Sequence, residues 1–325
     1  MTDEFDLIRQ LFKPLADDPA ALDLSDDAAI LAPGEGGLVI AKDILIENVH
    51  FRSEDPLDLV ARKALRVNLS DLAAMGATPR GYLLGLAVPR GRFSLAALTP
   101  FAAGLGRDQS EFDVSLLGGD TTRTDGSLVV SVTAIGEAPR APLQRKGARP
   151  GDAIYVSGMI GDAGLGLKAF DAAPNKLSER HVAFLQSRYQ LPMPRVALGS
   201  ALAGVASAGL DVSDGLVADL GHLASASGIG VNIELERVPL SEAARAWLRE
   251  DGAMSVTDLA IAGDDYELAF AISPDKEERI LEIAENVQVS VTRIGAVVEG
   301  SGVRLQGADG SDVALQRHGW NHGAS

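Results

Sequence analysis

The sequence predicts a two-domain α/β (α+β) protein. Three observations carry that prediction. Strand-like and helix-like patterns alternate along the chain, a basic stretch rich in Pro and Gly divides it, and 325 residues are enough for two domains of roughly 150. Glu4–Leu15 sets Phe5, Ile8, Leu11 and Phe12 at helical spacing, and LVIAKDIL (Leu38–Leu45) reads as a strand. Asp58–Ala77 reads as a long helix that Gly76 ends and Pro79 keeps from continuing. Strands are predicted at Leu83–Val88 and at Val114–Leu117, the latter ending in Gly118-Gly119-Asp120, with a helix at Ser94–Ser110 between them. Leu128–Ile135 is a further strand, and Gly136–Asp152 loses all periodicity. The predicted domains are therefore 1–139 and 140–325. Beyond the boundary come a strand at Ala153–Ser157, helices to about Ala208 and a helix at Gly215–Ser225. Val231–Leu235, Tyr266–Ile272 and Val289–Val298 read as strands with helices between them.

Composition narrows the function. No cysteine is present, which removes disulfides, Cys-ligated zinc, iron–sulfur clusters and a thiol nucleophile, and which fits a reducing cytoplasm. The net charge of −16 argues against a nucleic-acid or anionic-membrane surface, and any phosphate substrate needs cations brought with it. The start MTDEFDLIRQ is acidic where a signal peptide is basic, and no apolar run approaches the roughly 18–20 residues of a membrane helix. A soluble, cytoplasmic protein is expected.

The aspartates are the chemical signal. Asp26 and Asp27 follow a polar turn, and Asp43 follows the strand LVIAK. Asp71 lies on the long helix with Asn68 one turn before it, and Asp120 follows two glycines. Asp211 and Asp214 flank Ser213 in DVSDG, and Asp264 and Asp265 follow Gly263. Carboxylates at strand ends are aimed by rigid backbone, and neighbouring glycines let a phosphate come close. Mg²⁺ takes oxygen ligands, commonly one or two carboxylates plus substrate phosphates. A turn or a helix cap accounts for any one of these aspartates. It does not account for the group, since caps do not call for GGD, DVSDG and NLSDLAAMGA in one chain. No GxxxxGK[ST] is present, nor the paired H-R-D and D-F-G of protein kinases. SGMIGDAGLGLKAF (Ser157–Phe170) reads as a tight turn opening a helix rather than as a dinucleotide loop.

The segments LSDDAAIL, KALRVNLSDLAAMGA, LLGGDTTR, RKGARPGDAIYVSG, LDVSDGLVADLGHL and GDDYELAF occur in this order from about Phe5 to Trp320. Together they resemble the thiamine-monophosphate kinases, a family of the aminoimidazole-ribonucleotide-synthetase-like superfamily. The resemblance implies two α/β domains, N-terminal domains that pair across a homodimer, and a site in the cleft between the domains. It implies ATP-dependent phosphorylation of thiamine monophosphate to thiamine diphosphate with several Mg²⁺. By motif position Asp27, Asp43, Asp71, Asp120, Asp211 and Asp214 would bind metal. Phe112, Gly119, Asp120, Arg145 and Ser213 would contact ATP, and His50, Asp264 and Trp320 would hold the acceptor. The chain departs from the family pattern in three places. Ala41-Lys42-Asp43 stands for the usual Ser-Thr-Asp, Asp264 for Glu, and Phe112 for a Tyr.

The chemistry agrees with the residues. The acceptor is a phosphate monoester, already anionic, so direct in-line transfer needs charge neutralisation rather than a protein base or nucleophile. A lone His after a strand also serves as a structural residue, Trp320 could cover a core edge, and Arg145 could be a solvated charge. His181, His222, His318 and His322 lack metal-ligand spacing. Competing readings are another ATP-using superfamily member such as the aminoimidazole ribonucleotide synthetase, a decayed nucleotide-binding module, and a pyrophosphatase-like hydrolase.

Overall fold

The computed structural model describes residues 4–24 and 29–314. Two compact units emerge. One comprises the residues up to Leu72 with Ala77–Arg140, the other Ala73–Gly76 with the residues from Ala141 onward.

The first unit opens with α1 (Glu4–Leu7), which passes into a π-helical turn at Ile8–Phe12 and a 3₁₀ turn at Lys13–Leu15. The sequence predicts one helix here. Pro14 lacks the amide that an α-helix would need, and the winding tightens at that point. Strand β1 (Leu38–Ile46) is followed by α2 (Leu57–Ala74), β2 (Thr78–Pro89), α3 (Leu95–Phe112), β3 (Ser115–Thr124) and β4 (Val129–Glu137). α2 stops where Gly76 takes a φ of +68°. β2 and β3 are both longer than their apolar runs, because they pair in parallel from Gly81↔Ser115 to Pro89↔Thr124.

The sheet order is β1-β4-β2-β3. Its inner face, with Tyr82, Leu84, Leu86, Val130 and Val132, is buried together with Leu65, Leu69 and Leu72 of α2 and Phe101 and Leu105 of α3. Its outer face is open: Ile40 is 64% exposed, Ile44 48% and Leu83 38%. Residues 63–70 of α2 are buried without a break, so its polar side chains must find partners inside. Arg66 gives Nε and Nη2 to the two oxygens of Asp108 at 2.8 and 2.9 Å, and Arg62 adds a third bond to Asp108 at 2.7 Å. This pair of arginines on one buried carboxylate fastens α3 to α2.

In the second unit the order is β5 (Ala153–Ser157), α4 (Asp162–Asp171), α5 (Glu179–Gln190), α6 (Val196–Leu202), β6 (Ala208–Asp211), α7 (Leu216–Ser227) and β7 (Gly230–Glu234). Then follow α8 (Glu242–Glu250), α9 (Val256–Ala260), β8 (Leu268–Ile272), α10 (Glu277–Asn286), β9 (Val291–Val298), β10 (Gly302–Gln306) and β11 (Asp312–Val313). The seven strands run β11-β10-β7-β9-β5-β8-β6. β5, β6 and β8 are buried at every position, because helices cover both faces of the sheet. Ile154 and Val156 face a core with α4, α7 and α8, while Ala153 and Tyr155 face one with α6 and α10. No helix among the described residues is long and apolar enough to cross a membrane.

Asp162 of the second unit is a buried carboxyl under strain. Asp162, 1% exposed at the start of α4, accepts the Ser241 hydroxyl at 2.5 Å on one oxygen, and its Oδ2 has no hydrogen-bond partner. Burial pushes this carboxyl from 3.8 up to about 6, outweighing the Ser241 bond and the Arg188 charge, with Glu267 adding repulsion. The folded chain thus keeps a proton that the unfolded chain releases near pH 3.8, so the stabilisation is full below that pH and is lost as the pH rises through about 6. Asp162→Asn is expected to remove this dependence. In urea unfolding, the stability of wild type relative to the variant should fall by roughly 2 kcal/mol between about pH 4 and pH 7. A difference that stays constant with pH would contradict the assignment.

Candidate active site

In the first unit the functional side chains gather where β1 meets α2. Asn68, fully buried, donates Nδ2 to the Ala64 carbonyl at 3.0 Å, and its Oδ1 accepts the Asp43 amide at 3.0 Å. It locks the helix against the strand at the residue whose carboxyl matters. One helical turn further, the carboxyl of Asp71 is hydrogen-bonded to that of Asp43. Burial pushes Asp43 above the usual carboxylate range, while the bond to Asp71 acts the other way. Two carboxyls in contact cannot both ionise unless a proton or a cation joins them. Hard oxygens side by side, half open to solvent, fit a divalent cation such as Mg²⁺.

His50 follows the turn after β1, where Asn48 adopts a φ of +65°. The ring Nδ1 accepts the Ile46 amide at 3.0 Å, and the His50 carbonyl accepts Nζ of the buried Lys63 at 3.1 Å. With Nδ1 accepting, the neutral ring carries its proton on Nε2. Lys42, which replaces a hydroxyl residue of the family pattern, gives Nζ to Ser131 at 2.7 Å and Thr133 at 3.3 Å on the outer face.

Asp120 sits elsewhere. Sequence reading ends its strand at the glycines, but β3 continues through them, and Asp120 pairs with Gly85. A Cβ on Gly119 would stand 1.9 Å from the Leu84 carbonyl oxygen, so the close pairing admits only glycine there. Ile44, Ser131, Gly85 and Asp120 form one row across the sheet, and Asp43, Val132, Leu84 and Gly119 form the next. Side chains alternate between faces, so Asp43 and Asp120 lie on opposite faces. An apolar cavity of about 600 Å³, lined in part by Phe12, Leu31, Leu83 and Leu117, opens beside Asp120. Phe112 ends α3 with the Arg66 guanidinium 5.0 Å from its ring centre.

The second unit holds its own group. Asp211 ends β6, and the loop to α7 carries Ser213 and Asp214. The amides of Ser213 and Asp214 both donate to Oδ2 of Asp219 at 3.0 Å. Burial and the charges of Asp211 and Asp214 push Asp219 up to about 7. His222, one turn on, brings an imidazole nitrogen within 4.8 Å of carboxylate oxygens of Asp214 and Asp219. At its far end α7 also secures Arg145. The Ser227 hydroxyl donates to the Arg145 carbonyl at 3.0 Å and accepts the Gly147 amide at 3.1 Å, leaving the Arg145 side chain exposed.

The segment Gly263–Glu267 runs alongside. The Asp264 and Tyr266 amides donate at 2.8 Å to the carbonyls of Ser213 and Val212. A Cβ on Gly263 would stand 2.5 Å from the Ser213 oxygen. Asp264 and Tyr266 take positive φ, +71° and +51°, where sequence reading expects a strand from Tyr266. Two buried acids hold this strained backbone. Asp265 accepts the Gly161 and Ala163 amides at 2.7 and 3.2 Å, and Glu267 accepts two bonds of 2.6 Å from Arg195 and one of 2.7 Å from Ser157. Burial pushes Asp265 well up, opposed by those two amides. The result turns Asp264 and Tyr266 to the half-exposed side, where the Tyr266 hydroxyl donates to Asp264 at 3.4 Å.

The structure thus brings together Asp43, Asp71 and His50 in one unit and Asp211, Ser213, Asp214 and Asp264 in the other. Asp27 and Trp320 lie outside the described residues. Sequence reasoning assigned no role to Asp219, Glu267 or His222, and it grouped Asp265 with the cation-site aspartates, whereas Asp265 is buried against the Gly161 and Ala163 amides. Asp265 and Glu267 alternate with exposed partners in GDDYE, a legible signal, whereas Asp219 reaches back five residues with no local sign.

Residues 25–138 match the AIR synthase related protein, N-terminal domain, and residues 149–308 its C-terminal domain. A thiamine-monophosphate kinase of Caulobacter vibrioides is 48% identical over 328 residues, covering 98% of this chain and 91% of that protein. The crystal structure of a thiamine-monophosphate kinase from Stenotrophomonas maltophilia has a TM-score of 0.84 and 38% identity, covering 95% of this chain and 98% of the other. AaThiL complexed with AMPPCP and TMP has a TM-score of 0.78 and 30% identity, covering 98% of this chain and 96% of the other. The chain belongs to the AIR synthase related family and, within it, to the thiamine-monophosphate kinases.

Proposed function

We propose that the protein transfers the γ-phosphoryl group of ATP to thiamine monophosphate, yielding thiamine diphosphate and ADP. The observation that carries this reading is the Asp43–Asp71 carboxyl pair, with Asp211 and Asp214 as its counterpart in the second unit. A relative with full-length similarity complexed with AMPPCP, an ATP analogue, and TMP supports it. Asp43, Asp71, Asp211 and Asp214 would hold Mg²⁺, joined in our reading by Asp27, whereas Asp120, on the opposite face of the sheet from Asp43, would serve a separate cation. When bound, the cations supply the charge neutralisation that lets two phosphates approach.

The chain's own residues bind and orient. A phosphate oxygen of the acceptor bonds to the γ-phosphorus as the bond to the ADP oxygen breaks, and no proton has to be removed first. His50 offers a donor rather than a base, because its Nδ1 is already engaged by the Ile46 amide. It steadies the acceptor through Nε2–H. Asp264 sets a negative charge toward a cationic thiazolium, and Trp320 offers an aromatic face to the same acceptor. Gly119, Phe112, Arg145 and Ser213 serve the nucleotide, with the Arg66 guanidinium holding the Phe112 ring.

The open sheet face supports a homodimer. Ile40, Ile44 and Leu83 form an exposed apolar surface on β1 and β2, of a kind that a partner commonly covers. The lack of cysteine in 325 residues supports a cytoplasmic setting.

Thiamine diphosphate formation should be seen directly with ATP, Mg²⁺ and thiamine monophosphate. Asp71→Asn is expected to lower kcat/KM by at least about 100-fold. His50→Ala should raise KM for thiamine monophosphate by about tenfold or more and leave KM for ATP nearly unchanged. ATP hydrolysis independent of the acceptor would refute the reading. Light scattering should give twice the 33.9 kDa chain mass. Ile40→Lys with Ile44→Lys should shift the species to monomer, and a wild-type monomer would refute the pairing.

A further inference from the structure

Tyr266 occupies a backbone conformation that its side chain disfavours. Its φ is +51°, in the left-handed region, which Asp tolerates and a bulky aromatic residue rarely enters. Glycine would take the same backbone without strain. Strain of this kind persists where the surrounding structure over-determines it, and it gathers at ligand sites. Here the surroundings are rigid. The Asp264 and Tyr266 amides are fixed at 2.8 Å to the carbonyls of Ser213 and Val212. Between and after them, buried Asp265 is held by the Gly161 and Ala163 amides, and buried Glu267 by Arg188, Arg195 and Ser157. These bonds set the backbone whatever side chain stands at 266.

What they produce is a juxtaposition. Residues 264 and 266 are both left-handed, and the residue between them turns inward, so their two side chains emerge together on the half-exposed side. There the Tyr266 hydroxyl donates to Oδ1 of Asp264 at 3.4 Å, a long bond that steers the carboxylate more than it holds it. Asp264 stands for the Glu of the family pattern and is one methylene shorter, so it depends more on being aimed.

We propose that Tyr266 is a positioning residue for the acceptor, its hydroxyl steering the Asp264 carboxylate toward the cationic ring of thiamine monophosphate. The pair reads the charge of that ring, and a neutral ring of the same outline binds less well. The inference rests on the reading of Asp264 as an acceptor contact. It goes further by naming the residue that aims this acid and the property of the acceptor that the two select.

Calorimetry with Mg²⁺ and AMPPCP present can compare thiamine monophosphate with its 3-deaza analogue, which keeps the shape and has a neutral ring. Wild type should bind the charged acceptor at least about tenfold more tightly. Tyr266→Phe removes the hydroxyl and keeps the ring. It should weaken thiamine monophosphate binding by about threefold or more, narrow the preference by the same factor, and leave the analogue's binding, the KM for ATP and the melting temperature nearly unchanged. Asp264→Asn should narrow the preference further, and adding Tyr266→Phe to it should change little more. If Tyr266→Phe weakens both acceptors equally, or neither, its hydroxyl is structural only and the proposal is overturned. If Asp264→Asn keeps the wild-type preference, the acceptor contact is misassigned and the proposal falls with it. If wild type binds thiamine monophosphate with the expected preference but forms no thiamine diphosphate, the reaction is misassigned, while the binding preferences still decide the role of Tyr266.

Discussion

Repulsion between like charges is the constraint on which the rest of this structure depends. Asp43 and Asp71 meet carboxyl to carboxyl, and Asp211, Asp214 and Asp219 crowd one turn of backbone. A chain that only had to fold would replace such groups, since a buried charge without a partner weakens the native state. Other buried acids of this chain meet cations: Asp108 receives Arg62 and Arg66, and Glu267 receives Arg188 and Arg195. At Asp43 and Asp71, and around Asp219, carboxyls instead face other carboxyls. Phosphates face the same difficulty in approaching each other, and cations resolve both problems together.

The acids are useful only because the surrounding backbone is stiff. Asn68 fixes α2 to β1 at the amide of Asp43, so the side chains on both sides of that bond are set by one buried amide. Asp265 and Glu267 do the equivalent work for Asp264 and Tyr266, holding two non-glycine residues in left-handed backbone that neither would choose alone. α7 serves both its ends, with Asp219 bracing the loop before it and Ser227 bracing the Arg145 loop after it.

Much of this was legible in the sequence. The alternation of β-branched runs with helical spacing predicts the two α/β units, and the aspartates beside glycine mark the loops that matter. What could not be read has physical causes. The strand through Gly118-Gly119-Asp120 is long because β2 pairs along its whole length, which is a tertiary fact. That extension moves Asp120 to the face opposite Asp43, a consequence of alternation once the register is known. Pro14 rewinds the first helix locally. Asp219 and His222 read as ordinary helix residues, and only the turn before α7 reveals what they face.

The central claim is that the aspartates hold charge in place and that no group of the protein accepts the phosphoryl group. The stereochemical course at the γ-phosphorus tests it most directly. With ATP made chiral at that phosphorus by oxygen isotopes, direct transfer to thiamine monophosphate predicts inversion of configuration in thiamine diphosphate. Retention would require two successive displacements through a phosphorylated side chain and would contradict the account.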